Sequence, residues 1–149
     1  MQPAPEARQQ ENDMTAKIQI YNPGSMAKPL GLYCHVARAK AEEYLHIAGQ
    51  VSLDQAGELV GKNDFEAQMR QTYDNLRAAL ESAGAGFENV VKYTTYLTRK
   101  EDLGEYRRVR NALYEEFYPS GTYPPNTLLI VTGLVNDDLL VEIEAVAAI

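Results

Sequence analysis

Two stretches at the end of the chain decide its fold: Pro124-Pro125-Asn126-Thr127-Leu128-Leu129-Ile130 and Val141-Glu142-Ile143-Glu144-Ala145. The first is an apolar run that starts from a double-proline turn. In the second, Glu142 and Glu144 stand two residues apart and so share one side of a strand, while Val141, Ile143 and Ala145 share the other. These readings give final strands over 127–132 and 139–148, joined around Asn136-Asp137-Asp138. Two carboxylates on one side of a strand near a core have the chemistry to act on water as a base; the plainer outcome of the same spacing is a solvated edge with salt bridges.

Working backwards, Leu103, Tyr106, Val109/Arg110, Leu113 and Phe117 form one stripe of a helix that Pro119 ends. Thr98 followed by Glu101 has capping-box spacing and predicts the start of that helix. Arg107, Arg108 and Arg110 read as its solvated face, paired with acids. Before it, residues 90–97 (VVKYTTYL) are dense in β-branched and aromatic side chains, hence a strand. Phe65, Met69, Thr72/Tyr73, Leu76, Ala79/Leu80 and Ala83 recur at helical spacing, with Asn63 or Asp64 as cap and Gly84 as stop. Asp54-Gln55-Ala56-Gly57 reads as a turn. Residues 33–37 and 44–51 flank the polar segment 38–43 and predict a hairpin, and 17–21 is a short strand ending at Asn22-Pro23-Gly24. Residues 1–16 are an N-terminal tail, polar and proline-containing at its start, and 17–149 form one domain.

The order strands, helix, strand, helix, strands predicts an α+β fold of two layers with both helices on one face of the sheet. Leu45, Ile47, Val91, Tyr93, Leu128 and Ile130 fall on the opposite parity from other apolar residues of their strands. That pattern predicts burial of both sheet faces, the second by another subunit.

The formal charge of −7 argues against a general phosphate-backbone binder, and so against nucleic acid as a partner. Cys34 is the only cysteine, which rules out an internal disulfide and a cysteine-held metal and suits a reducing compartment. His35 and His46, the only histidines, lack the spacing of metal ligands; no metal and no cofactor is expected. No apolar run approaches the ~20 residues of a membrane span, and the first residues lack the pattern of a signal peptide. The expected location is the cytoplasm.

Several segments, in order and with compatible spacing over about residues 17–149, resemble the Rid family of reactive-intermediate deaminases (YjgF-type, also called the L-PSP endoribonuclease family). These are Gly31-Leu32-Tyr33, Ile47-Ala48-Gly49-Gln50, Gln68 to Leu76, Val90 to Leu97, Tyr114 to Pro119 and Val141 to Ala145. The resemblance implies a chorismate-mutase-like (YjgF-like) fold and a homotrimer with three small-molecule sites between subunits. It implies imine or enamine hydrolysis, in which an arginine grips the substrate carboxylate and a glutamate holds water. Glu142 matches that glutamate and is the expected catalytic residue. Asn126 stands at the arginine's position and is the expected ligand reader. Tyr33 and Gly49 match pocket positions, and Tyr93 is taken as a further substrate-binding residue. Ala48 stands where a serine is common.

The exchange of guanidinium for amide has a size. Hydrogen bonds to a charged group contribute roughly 1.5–3 kcal/mol. Losing the charged fork therefore weakens carboxylate binding about ten- to a few-hundredfold. Either Lys92, Lys28 or Arg99 restores the charge, or the ligand is neutral and altered activity results. The alternative is a binding module or chaperone-like protein without catalysis on the same scaffold. Nuclease activity, sometimes attached to this family, is disfavoured by the acidic balance.

Overall fold

The computed structural model describes residues 16–149; the tail expected over residues 1–16 lies almost entirely outside the described residues. Eight elements run in order: β1 (Lys17–Tyr21), β2 (Val36–Lys40), β3 (Tyr44–Gln50), α1 (Phe65–Glu81), β4 (Val90–Leu97), α2 (Leu103–Phe117), β5 (Asn126–Ile130) and β6 (Val141–Ala148). The main sheet has the order β3-β6-β4-β5, with β4 and β5 parallel and the other pairs antiparallel. β1 and β2 form a separate antiparallel ribbon. The expected α+β fold is observed.

α1 begins where its residues dictate. Asp64 is the cap, and its carboxylate accepts from the Ala67 amide at 3.0 Å. Phe65, Met69, Tyr73, Leu76 and Leu80 form its buried stripe. They pack with Tyr106, Val109, Leu113 and Tyr114 of α2 and with Val90, Tyr93, Leu97, Val141, Ile143, Ala145 and Ala147 of the sheet. Both helices thus share one face and one core. Gln68, fully buried, ties this layer to the loop before β6: its amide nitrogen Nε2 donates to the carbonyls of Asp138 (2.8 Å) and Gly61 (3.2 Å), and its Oε1 accepts from the Leu140 amide (2.8 Å).

Three expectations are corrected. First, 33–37 and 44–51 do not form a hairpin. β2 pairs with β1, while β3 pairs with β6, so the two belong to different sheets. The corner between them is held by the end of the chain: the amides of Glu42 and Glu43 both donate to the Ile149 carbonyl at 3.0 Å. Second, Thr98 does not cap α2. A short turn of 3-10 helix over Lys100–Asp102 intervenes, and the Thr98 hydroxyl reaches instead toward the Leu139 carbonyl.

Third, the sheet is not apolar on both faces. Leu45, Ile47 and Leu128 pack against the helix-covered core, where Tyr93 is buried. Along β6 the buried Val141, Ile143, Ala145 and Ala147 or Ala148 alternate with half-buried Glu142, Glu144 and Val146. The uncovered face accordingly is mixed, with His46, Lys92, Thr94, Tyr96, Glu142 and Glu144 beside the apolar Val146 and Leu129. A register shift between Val90 and Lys92 and another between Ile47 and Gln50 change the parity on which the two-sided reading depended.

Candidate functional site

The shift in β3 also shapes the surroundings of Glu142. Ile47 pairs with Ala145 and Gln50 with Ile143, so three steps on β3 oppose two on β6 and Ala48-Gly49 form a bulge. The Glu142 side chain lies across that bulge. A Cβ placed on Gly49 would stand 1.9 Å from Glu142 Oε1, 2.7 Å from Cδ and 2.9 Å from Cγ. Only glycine leaves room for the carboxylate there.

Among the described residues no cation pairs with Glu142. Burial, and then the neighbouring Glu144, raise its pKa above the ordinary carboxylate value. Tyr96, its register partner on β4, donates its hydroxyl to Glu144 at 3.3 Å. Next to this group a hollow of about 340 Å³ opens, lined by His46, Ala48, Lys92, Thr94, Glu144 and Val146. Lys92 Nζ donates to Thr127 Oγ1 at 2.5 Å, and burial lowers its pKa against the opposing pull of Glu144.

Asn126 faces the other way. It is in register with the buried Tyr93, and its amide turns into the layer of the helices. The Thr95 hydroxyl donates to its Oδ1 at 2.9 Å, and its Nδ2 donates to the Tyr106 hydroxyl of α2 at 3.0 Å. Within one chain the sheet therefore stands between Asn126 and Glu142. Tyr33 belongs to the Asn126 side: its neighbour Cys34 donates its amide to the Tyr123 carbonyl at 3.1 Å, and Tyr123 stacks on Tyr114 of α2. The Tyr33 hydroxyl accepts from the Leu30 amide at 3.3 Å. Tyr93 is a core residue, 1% exposed, with its hydroxyl bonded to that of Tyr118 at 2.8 Å. Within the single chain this expected substrate-binding residue is therefore part of the core.

Of the cations considered as substitutes, Arg99 is engaged by both carboxylate oxygens of Asp102, at 2.8 and 3.1 Å. Lys28 is exposed and Lys92 lies on the Glu142 side. Sequence reasoning missed a fourth cation. Arg108 does belong to a solvated face, paired with Glu105 and Glu66. Arg110 does not: it is 6% exposed, and no acid pairs with it among the described residues. Its guanidinium carbon lies 5.2 Å from the centre of the Tyr106 ring and 5.8 Å from that of Tyr114. Its Nε is buried without a hydrogen-bond partner. The available signal was its place in the α2 stripe, four residues after Tyr106 and four before Tyr114. Removing an unpaired guanidinium from water costs on the order of several kcal/mol. The two ring contacts offset only part of that, ~0.5–2 kcal/mol each.

The described residues hold no group of three or more His, Cys, Asp or Glu side chains placed for a metal ion. They include no helix long and apolar enough to cross a membrane.

Two helices on one face of a mixed sheet, with a carboxylate laid against a glycine bulge on the other, define an α+β fold of two layers. The chain belongs to the Rid/YjgF family: the family model described as endoribonuclease L-PSP matches residues 24–149. It is 36% identical to a RutC family protein of Pyrococcus horikoshii over 80% of this chain and 89% of that protein. It is 35% identical to a RutC family protein of Synechocystis over 89% and 97%. Among solved structures, the Rid family protein YyfB of Yersinia pestis superposes with a TM-score of 0.78 at 32% identity, covering 89% of this chain and 98% of that one. The YjgF gene product of Escherichia coli does so with a TM-score of 0.64 at 27% identity, covering 80% and 90%. The likeness to the YjgF-type fold expected from the residues is thereby found in the structure as well.

Proposed function

We propose that this protein is a cytoplasmic, homotrimeric hydrolase of imines or enamines whose small-molecule sites lie between subunits. The observation that carries the reading is the placement of Glu142: a half-buried carboxylate without a cation, set against the one backbone position that leaves it room. A raised pKa brings such a group closer to the pH at which it exchanges a proton with water. In the reaction, Glu142 takes a proton from a water molecule as the water oxygen bonds to the imine carbon. The proton then passes to nitrogen, the new hydroxyl gives its own proton to the same nitrogen through Glu142, the carbon–nitrogen bond breaks, and ammonia leaves as the carbonyl forms. Water is the only co-reactant.

The trimer rests on the same geometry. The sheet separates Asn126 from Glu142 inside one chain, so one ligand meets both only when a second copy brings its own Glu142 to the Asn126 side. Tyr33 is then a wall of the site and Gly49 the position that seats the carboxylate. The acidic balance argues against RNA as a substrate in spite of the family's descriptive name. The test is release of ammonia and carbonyl product from an imine generated in situ by an amino-acid oxidase. Release above the uncatalysed rate is expected, and release equal to it refutes the reading.

A second reading has its own support. The Asn126 amide is held on both sides by Thr95 and Tyr106, an arrangement of a fixed recognition group more than of a mobile one. A metabolite-binding module without turnover would then show ligand-dependent thermal stabilisation and no ammonia release.

A further inference from the structure

We infer that Arg110 is the anion-binding group of this protein, and that it takes a carboxylate-bearing ligand beside Tyr106, Asn126 and the Leu30-Gly31 turn. The inference deepens the proposed function by naming the substrate class, and rests on it for the reaction alone.

Three observations carry it. Arg110 is more than nine-tenths buried, lacks an acid among the described residues and has an Nε–H with no partner. A charge so placed is a standing cost unless something completes it. Second, the guanidinium is held by what surrounds it. It lies over the rings of Tyr106 and Tyr114, and the Tyr106 hydroxyl is in turn fixed by Asn126. Asn126 thus positions the residue that carries the charge, through one tyrosine. Third, the covering on the other side is thin. A Cβ placed on Gly31 would stand 3.2 Å from Arg110 Nη2, so glycine lets the turn close over the guanidinium. Leu30 beside it is 91% exposed and anchors nothing in the core. The link from Leu30 to the turn is a long bond from its amide to the Tyr33 hydroxyl, 3.3 Å.

The geometry selects the ligand. The free Nε–H and the Nη2–H form the side edge of the guanidinium, a planar fork that matches two carboxylate oxygens. Nη2 is presently bonded to Asn111 Oδ1 at 3.1 Å, and Asn111 is exposed, so water can take over that partner. When the Leu30-Gly31 turn lifts, a carboxylate gains both donors at once. Tyr33, whose hydroxyl loses its bond to Leu30 in that motion, is free to face the same ligand.

The test compares 2-oxobutanoate with its neutral amide, 2-oxobutanamide, by calorimetric titration of the full chain. Wild type is expected to prefer the acid by roughly ten- to a hundredfold, the worth of a charge-assisted pair. Arg110→Gln should abolish the preference, and Glu142→Gln should retain it. Equal binding of acid and amide by wild type, binding of neither, or a preference that survives Arg110→Gln each overturns the inference. Should Arg110→Gln fail to fold, Arg110→Lys is read instead: it keeps the charge and loses the fork, so the preference should fall at least about threefold, and an unchanged preference overturns the inference. The two claims separate cleanly. An Arg110-dependent preference without ammonia release sinks the hydrolase and leaves the subsite, and ammonia release without acid preference does the reverse.

Discussion

Gly49→Ala separates the site from the fold. The added Cβ would lie 1.9 Å from Glu142 Oε1, 2.7 Å from Cδ and 2.9 Å from Cγ. Ordinary carbon contacts begin near ~3.5 Å, so the oxygen must retreat by about 1.5 Å. The overlap with Cγ means that rotating the carboxylate alone is insufficient: the side chain must swing at its first torsion. Glu142 is half-buried, and solvent is available to receive it. The stability cost is therefore set by a rotamer change, roughly 0.5–1.5 kcal/mol, or a fall in Tm of no more than about 6 °C. Activity is far more sensitive, because a misplacement of ~1 Å costs on the order of a hundredfold in rate. The assays are ammonia release from a freshly generated imine and a thermal melt on the same preparation. A variant that keeps its activity within about threefold of wild type while folding normally would refute the placement of Glu142 as the water-holding group.

Glu142→Gln bears on pH as well. The folded protein holds the pKa of Glu142 above its unfolded value, so its ionised form disfavours the fold. The associated stability is complete below the ordinary carboxylate pKa and is lost as pH rises through the folded value. The glutamine variant should thus melt higher than wild type at pH 7, with the gain shrinking toward zero near pH 4; an equal or lower Tm at pH 7 contradicts the assignment. Gln68→Leu should destabilise the chain by about 2–4 kcal/mol in urea titration, because it leaves the buried Leu140 amide and the part-buried Asp138 carbonyl without their side-chain partner; a loss under ~0.5 kcal/mol would show that water replaces the clamp. Sedimentation equilibrium should give three times the 16.6 kDa of one chain, and a monomer at micromolar concentration would remove the interfacial site.

Much of the fold was legible because local rules and tertiary packing agree. The α1 stripe from Phe65 to Leu80, its Asp64 cap and the alternation of β6 each obey one period, and each is buried as that period requires. The errors arise where a distant segment decides. Nothing local in 33–51 reveals that β6 will take the edge of β3, or that Ile149 will hold the corner at Glu42 and Glu43. The bulges at Ala48-Gly49 and after Val90 invert the parity of the residues beyond them, which made a one-sided sheet read as two-sided. That Glu142 and Glu144 share one side of β6 was legible from their spacing. Arg110 was not, because a charged residue in an apolar stripe was grouped with its sequence neighbours Arg107 and Arg108. Its burial depends on Gly31, 79 positions away in the chain, lying over it.

The most direct measurement is the rate of ammonia release from one imine by wild type and by Glu142→Gln, side by side, with circular dichroism showing both folded. If a half-buried carboxylate delivers the water, the substitution should lower the catalysed rate by about a hundredfold or more. A folded glutamine variant as fast as wild type would place the chemistry elsewhere in the molecule.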